Sequence, residues 1–99
     1  MKIIDYRTTK FVIVPRSLVE DTALTPRDKC VYMSLCLYAN NDTKAARPSV
    51  ATIASKSGCG RSSVFESLRR LEDGGYIKRE SRSNGAGKQL TNYYYLLDV

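Results

Sequence analysis

Two short amphipathic segments joined by a glycine, within residues 48–77, constrain the fold more than any other feature of the sequence. Ser49 offers a side-chain oxygen that can cap a helix, and Ile53 with the small Ala54 marks the face that the helix would bury. Gly58 follows Ala54 and suits the left-handed conformation that a sharp turn requires. The pattern therefore predicts a helix that begins after Ser49 and ends in a tight turn.

The second segment predicts a longer helix over residues 61–73. Val64, Leu68 and Leu71 recur at positions i, i+4 and i+7, which is the spacing of one helix face, and a glycine pair ends the pattern. A small residue, then a turn glycine, then a branched apolar residue at this spacing is typical of a helix-turn-helix. Such a motif holds one exposed helix against DNA.

A β-hairpin is predicted directly after the second helix. Residues 76–83 predict a strand in which Ile77 is apolar between polar neighbours, residues 84–88 (NGAGK) form a glycine-rich turn, and residues 91–97 form an aromatic-rich return strand. Two helices followed by a hairpin with a basic tip indicate a winged helix-turn-helix. The predicted fold class is α+β, with a three-helix core, a small antiparallel sheet and a wing hairpin.

The third core helix is predicted nearer the N-terminus. Thr25 can cap it, Pro26 suits its first position, and Asp28 favours its positive end. We expect this helix to continue to about Ala39. Its buried positions are expected to be Val31, Leu35 and Tyr38.

The remaining segments are expected to complete one domain over residues 1–99. Residues 10–14 (KFVIV) predict a strand that closes the small sheet, and residues 16–21 predict one helical turn anchored by Leu18 and Val19. Residues 40–47 read as a polar loop. Residues 1–9 are compatible with an extra strand, a flexible arm or a dimer contact, and the sequence does not choose among them.

The run over residues 48–77 resembles the winged-helix domain of plasmid replication initiators and phage replisome organisers. It is also similar to small origin-binding accessory proteins of mobile elements. Gly60 stands where the family usually has a capping serine or threonine. The matching residues are Ile53-Ala54, Gly58, Arg61, Val64, Leu71-Glu72 and Gly75-Tyr76-Ile77.

The resemblance extends over about residues 11–97 and implies a winged-helix fold and DNA binding. It implies a sequence-specific double-stranded DNA-binding protein that acts at a plasmid or phage origin, in replication or conjugative transfer. A transcriptional repressor of the winged-helix type is the alternative function. The chain would then be either a free-standing accessory protein or the N-terminal domain of a longer initiator, with replication or transfer proteins and a second copy as candidate partners.

The placement of charge also favours a nucleic-acid partner. The chain has 16 basic and 10 acidic residues and a net charge of +6. Residues 44–88 contain ten basic and four acidic residues, so this stretch carries all of the excess positive charge. Neutralisation of phosphates requires positive charge in this place. A merely solvated basic face is the alternative, and the coincidence of the charge with the motif makes it the weaker one.

The helical period and the charge pattern predict which side chains contact DNA. With Val64, Leu68 and Leu71 inward, the first two turns of the second helix would enter the major groove. Arg61 and Arg69 would either grip a guanine through two hydrogen bonds or hold phosphates. The full set of predicted DNA contacts is Ser49, Lys56, Arg61, Ser62, Ser63, Phe65, Glu66, Arg69, Arg70, Arg82, Asn84, Gly85 and Lys88.

Three of these features allow more than one interpretation. Glu66 would either accept a hydrogen bond from cytosine or pair with Arg69 or Arg70 on its own helix. Phe65 would touch a thymine methyl, join a protomer contact or, as we expect, pack into the core. Residues 93–95 are three tyrosines whose alternate members form a second apolar face, covered by the N-terminal segment or a partner chain, with stacking on single-stranded bases as an alternative.

The composition argues against several other classes of protein. There is no histidine, no phosphate-binding loop and no convincing carboxylate pair, so we expect no enzyme, no cofactor and no metal site. The three cysteines form no C-x-x-C pair; Cys30 and Cys36 are expected to be small core residues on a helix, and Cys59 a turn residue. With no apolar run of membrane-spanning length and no signal peptide, the protein is expected to be cytoplasmic.

Overall fold

The computed structural model describes residues 2–7, 12–39, 45–46, 48–83 and 89–98. Four helices and three strands lie in these ranges. In chain order they are α1 (Arg16–Glu20), α2 (Pro26–Cys36), β1 (Ala45–Ala46), α3 (Val50–Ser57), α4 (Arg61–Asp73), β2 (Ile77–Ser83) and β3 (Gln89–Leu96).

Helix α2 begins with the cap that the sequence predicts. The Asp28 backbone N–H donates to Thr25 Oγ1 at 3.2 Å, and the Thr25 backbone N–H donates to Asp28 Oδ2 at 2.9 Å. This reciprocal pair satisfies two backbone donors that the helix itself leaves free. The helix ends at Cys36, earlier than expected, because the chain tightens there into a turn in which the Tyr38 N–H donates to Leu35 O.

The boundaries of α3 and α4 agree closely with the sequence prediction. The Thr52 N–H donates to the Ser49 Oγ at 3.1 Å, which caps the start of α3. Gly58 ends α3 with φ of 75°, a left-handed conformation that glycine adopts without a steric penalty. Helix α4 then starts after Gly60, which supplies no side-chain cap.

The core lies where α2, α3 and α4 meet the sheet. All three apolar positions predicted on α4 are fully buried, as are Val31 and Leu35 of α2 and Ile53 of α3. Tyr38, in contrast, is exposed, so its predicted burial is wrong. The turn after Cys36 explains the difference, since it takes Tyr38 off the helical row that contains Val31 and Leu35.

Helix α1 contributes one core residue instead of two. Leu18 is buried, whereas Val19 is exposed, so the prediction that both anchor the core is wrong for Val19. Consecutive helical residues point about 100° apart, so a single helical turn directs only one of two neighbours at the core. Residues 2–7 form neither helix nor strand and are exposed, so the extra strand, one of the three alternatives for residues 1–9, is absent from that part.

The sheet is antiparallel with the strand order β1-β3-β2, and its edge strand differs from the prediction. Ala45–Ala46 takes the place beside β3 that was predicted for residues 10–14, of which residues 12–14 form no strand and residues 10–11 lie outside the described ranges. The Ile13 carbonyl accepts a hydrogen bond from Cys36 Sγ at 3.5 Å, and Val14 packs against the core. Contacts with the end of α2 thus replace the predicted strand pairing.

The order of elements is that of a winged helix-turn-helix. Helices α3 and α4 form the two-helix motif around Gly58, α2 packs against both, and the β2–β3 hairpin follows α4 as the wing. The predicted α+β fold class is therefore confirmed. None of the helices in the described ranges is long and apolar enough to span a membrane.

Candidate DNA interface

Helix α4 presents one fully buried face and one exposed polar face. Val64, Leu68 and Leu71 have no exposed surface, and they hold the helix against α2 and α3. The outermost positions of the helix are exposed, namely Ser62, Glu66, Arg69 and Asp73. Arg61 is exposed as well, whereas Ser63 is half-buried on the flank. The sequence therefore predicted correctly which side of α4 is free to meet a ligand.

Arg70 is directed into the protein instead of away from it. Its Nε donates to both carboxylate oxygens of Asp28, at 3.1 Å to Oδ1 and 2.9 Å to Oδ2. The Asp28 side chain is completely buried, while the Arg70 side chain keeps 41% of its surface exposed. The same contact raises the pKa of Arg70, so the guanidinium is held charged between α2 and α4.

The Asp28 carboxylate is the polar centre of this helix–helix contact. Burial raises the pKa of Asp28, but hydrogen bonds from Arg70 and Thr25 and the nearby Ser67 hydroxyl lower it by more, so the net direction is down. The Ser67 Oγ is itself buried, and it lies close enough to act on Asp28 but forms no hydrogen bond of standard geometry with any described residue. The sequence suggested for Asp28 only a favourable negative charge at the start of α2, because nothing in the local pattern reveals a partner 42 residues away.

Phe65 is exposed on the flank of α4, which overturns the expectation that it packs into the core. Its exposed fraction is 55%, whereas Val64 beside it has none. Phe65 lies one helical turn after Arg61 and one turn before Arg69, so these three residues follow one row along the helix. The two other interpretations, contact with a thymine methyl and contact with a second protomer, remain.

Glu66 is also exposed, and it forms no salt bridge with any residue that the structure describes. Arg70, one of its expected partners, is engaged with Asp28 instead. The negative charge of Glu66 still helps to raise the pKa of Arg70. The carboxylate therefore lies on the open face of α4, where the prediction of a contact to cytosine still applies.

Two predicted contacts lie on α3. The Ser49 hydroxyl is exposed and lies 2.9 Å from Thr52 Oγ1, in addition to capping the helix. Lys56 is exposed in the last turn of α3, beside the turn at Gly58. Both positions are compatible with phosphate contacts at the edge of a groove entered by α4.

The wing is described in its strands and not at its tip. Glu80 pairs with Tyr93, but Arg82 pairs with Leu90, so β3 contains one extra residue between these two pairs. Such a bulge increases the local twist of a hairpin. The side chain of Arg82 and all of Asn84, Gly85 and Lys88 lie outside what the structure describes, so the predicted contacts of the wing stay predictions.

An ion pair connects the wing to the end of α4. The Arg79 Nη2 donates to Glu72 Oε1 at 2.9 Å, and the Arg79 backbone N–H donates to Glu72 Oε2 at 3.2 Å. The hydrogen bond from the Arg79 side chain is the main cause that lowers the pKa of Glu72. The contact fixes the first residues of β2 relative to α4, and therefore the direction in which the hairpin leaves the helix.

The outer face of the sheet carries an aromatic pair and a cation, Lys78, that was not among the predicted DNA contacts. Tyr93 and Tyr95 are half-buried with ring centroids 6.3 Å apart, and Lys78 pairs with Tyr95 across the strands and is exposed. Directly opposed residues of an antiparallel pair share a face. The sequence could have indicated the exposure of Lys78, because successive residues of a strand point to opposite faces of the sheet and the neighbouring Ile77 is buried.

The cysteines are partly buried and unpaired. Burial raises the pKa of the Cys36 thiol to about 11, so it stays protonated near neutral pH. Cys36 packs against the hydrophobic core, in agreement with its expected role as a small core residue. Cys59, which was expected to be a turn residue, lies between α3 and α4 and also packs against the core.

Comparison with known proteins agrees with this geometry. The model of the helix-turn-helix domain family matches residues 22–77, which is more than half of the chain and includes α2, α3 and α4. No curated protein and no solved structure matches the chain.

Proposed function

Because the chain belongs to the helix-turn-helix domain family, we propose that it is a non-catalytic, sequence-specific binder of double-stranded DNA. In this proposal α4 enters the major groove and the β2–β3 wing lies along the neighbouring backbone or minor groove. The observation that carries the proposal is the exposed face of α4, where Arg61 and Arg69 flank hydrogen-bonding side chains. These groups are able to read base edges while the buried face keeps the helix rigid.

The biological role that we propose is action at an origin of a plasmid or phage, as an accessory of replication or conjugative transfer. It is supported by the sequence resemblance to the winged-helix domains of replication initiators and to origin-binding accessory proteins. A protein with this role would work in the cytoplasm. A second copy of the chain and proteins of the replication or transfer machinery are its proposed partners.

Duplex binding is tested by titration of a labelled duplex, obtained by selection from a random library, at several salt concentrations. The logarithm of the affinity should fall linearly with the logarithm of the salt concentration, with a slope of about −0.9 for each phosphate contacted. The test variant is Arg61→Ala/Arg69→Ala, which removes two positive charges from α4. Its control is Arg16→Ala/Arg27→Ala, which removes the same charge from α1 and α2. A flat plot, or equal effects of the two variants, would refute the proposal.

The role at an origin is tested by footprinting on the DNA surrounding the gene that encodes the protein. Protection of repeated sites at an origin is expected. Protection confined to a promoter would favour transcriptional repression instead, without contradicting duplex binding.

A further inference from the structure

Phe65 is an apolar side chain exposed on the open face of α4, in a row between two arginines. Single exposed apolar residues are common on protein surfaces, so exposure by itself identifies no site. The position is what distinguishes Phe65, because Arg61 and Arg69 lie one helical turn away on either side of it. All three residues belong to the exposed flank of the helix that faces away from the core.

The surrounding charge restricts what can cover this side chain. In its row along the helix Phe65 is flanked by two arginines, and residues 44–88 as a whole carry ten basic and four acidic groups, so a negatively charged partner is favoured even though Glu66 and Asp73 are exposed on the same helix. A second copy of the chain in a symmetric contact would bring the same two arginines against each other, which is unfavourable. A DNA duplex supplies the negative charge, and its major groove contains an apolar group, the C5-methyl of thymine.

We infer that Phe65 determines specificity by packing against a thymine C5-methyl group in the major groove, while Arg61 and Arg69 contact the DNA on either side. The inference rests on the proposed duplex binding and adds the identity of one base. At the position that Phe65 contacts, thymine is preferred to cytosine because cytosine lacks the methyl group. The side chain carries no hydrogen-bonding group, so this selectivity arises from burial of the methyl and the ring alone.

The test compares thymine with uracil, which differs from it only by the absence of the methyl group. Duplexes are first selected from a random library by the unmodified protein, and each thymine of the selected site is then replaced by uracil, one position at a time. The unmodified protein should lose affinity roughly four-fold at one position, the effect expected for one buried methyl group. Phe65→Ala should bind the thymine and uracil duplexes equally at that position.

Leu37→Ala is the matched control, because Leu37 is as exposed as Phe65, at 56% against 55%, but lies at the end of α2. It should retain the full thymine preference. Phe65→Leu, which keeps an apolar side chain, should retain part of it. Circular dichroism checks that the variants are folded, and sedimentation checks that the substitution leaves the oligomeric state unchanged.

The possible failures are distinguishable. If the unmodified protein selects a duplex but no uracil substitution lowers its affinity, the role of Phe65 is refuted and duplex binding stands. If Phe65→Ala instead changes the oligomeric state and retains the thymine preference, Phe65 is a protomer contact and the inference is wrong. If no duplex is bound in a salt-dependent manner, the proposed function fails as well.

Discussion

At the scale of single residues, the neighbouring arginines Arg69 and Arg70 of α4 lie in different environments. Arg69 is exposed on the open face, whereas Arg70 directs its Nε to the buried Asp28 carboxylate. One step along a helix rotates a side chain by about 100°, which is enough to separate a surface cation from one that binds a neighbouring helix. Residue type alone therefore does not identify a DNA contact in this helix.

Arg61 and Arg69 provide the first prediction. If either side chain forms two hydrogen bonds with a guanine, its replacement by Ala should cost about 1–3 kcal/mol of binding free energy at one base position and relax specificity there. If it contacts only phosphate, all sequences should weaken equally. Selection from random duplexes measures both effects, and Arg27→Ala on α2 is the control for loss of one exposed charge. An Arg61→Ala or Arg69→Ala variant with normal affinity and specificity would exclude that residue from the interface.

Arg70 provides the second prediction, which concerns stability. Arg70→Met keeps the aliphatic stem but leaves the fully buried Asp28 carboxylate without its charged partner. The free energy of unfolding should fall by roughly 1–3 kcal/mol, because the buried carboxylate keeps its hydrogen bond from Thr25 but loses the charged partner that offsets its desolvation cost. Urea denaturation measures the change, and Arg69→Met, at an exposed position one residue earlier, should change stability by less than about 0.5 kcal/mol. Unchanged stability with weakened DNA binding would instead assign Arg70 to the interface.

At the scale of secondary-structure elements, the wing is coupled to α4. The Glu72–Arg79 contact spans the connection between α4 and β2, and the Leu97 N–H donates to Tyr76 O at 3.0 Å where the sheet meets that connection. Gly75 in the connection has φ of 82°, a left-handed conformation that favours glycine. These local constraints fix the direction in which the hairpin leaves the helix.

The wing provides the third prediction. Replacing both Arg82 and Lys88 by Ala should weaken duplex binding and reduce the salt slope by about one to two units, because each lost phosphate contact removes roughly one unit. A titration at several salt concentrations measures the slope. The control is Arg16→Ala/Arg27→Ala, which removes two positive charges from α1 and α2. If the wing variant keeps the unmodified affinity and slope, the hairpin has a structural role and α4 binds alone.

At the scale of the whole molecule, carboxylates stabilise contacts between elements. Asp28 connects α2 to α4, Glu72 connects α4 to β2, and the Tyr76 hydroxyl donates to Asp21 Oδ2 at 2.7 Å between the sheet connection and α1. The hydrogen bond from Tyr76 is the main cause that lowers the pKa of Asp21. All three carboxyl groups therefore have lower pKa values in the folded protein than in the unfolded chain.

Acid sensitivity is the fourth prediction, and it follows from these shifts. As the pH falls, the unfolded chain takes up protons first, at pKa values of about 4, and the folded protein only at lower pH. The stabilisation by Asp28, Glu72 and Asp21 is thus complete above about pH 5 and is lost as the pH falls through 4 toward the lower folded values. Urea midpoints measured between pH 7 and pH 2 should show this loss.

Asp28→Asn should lower stability at pH 7 and make its dependence on pH shallower, because one of the shifted groups is gone. Asp73→Asn, at an exposed position at the end of α4, is the control and should retain the dependence of the unmodified protein. A stability that stays constant between pH 5 and pH 3 would contradict the proposed contribution of these contacts.

Local signals in the sequence were sufficient to predict α3, α4 and the cap of α2. Ser49, Gly58 and Thr25 act through hydrogen bonds and backbone conformations that involve residues a few positions away, so their effects can be inferred from short stretches. The burial of Val64, Leu68 and Leu71 on α4 also followed from the helical period alone. These local signals were enough to predict the winged helix-turn-helix fold and the exposed side of α4.

Only the tertiary structure decided which residues meet across long separations in the chain. Residues 10–14 have the composition of a strand, but the contact of Ile13 with Cys36 competes with pairing, and Ala45–Ala46 takes the edge of the sheet. The pairing of Arg70 with Asp28 and the exposure of Phe65 likewise depend on where α2 packs against α4. Packing between elements depends on the sum of many distant contacts, which no short pattern contains, and it therefore decides which side chains of an amphipathic helix are left for a ligand.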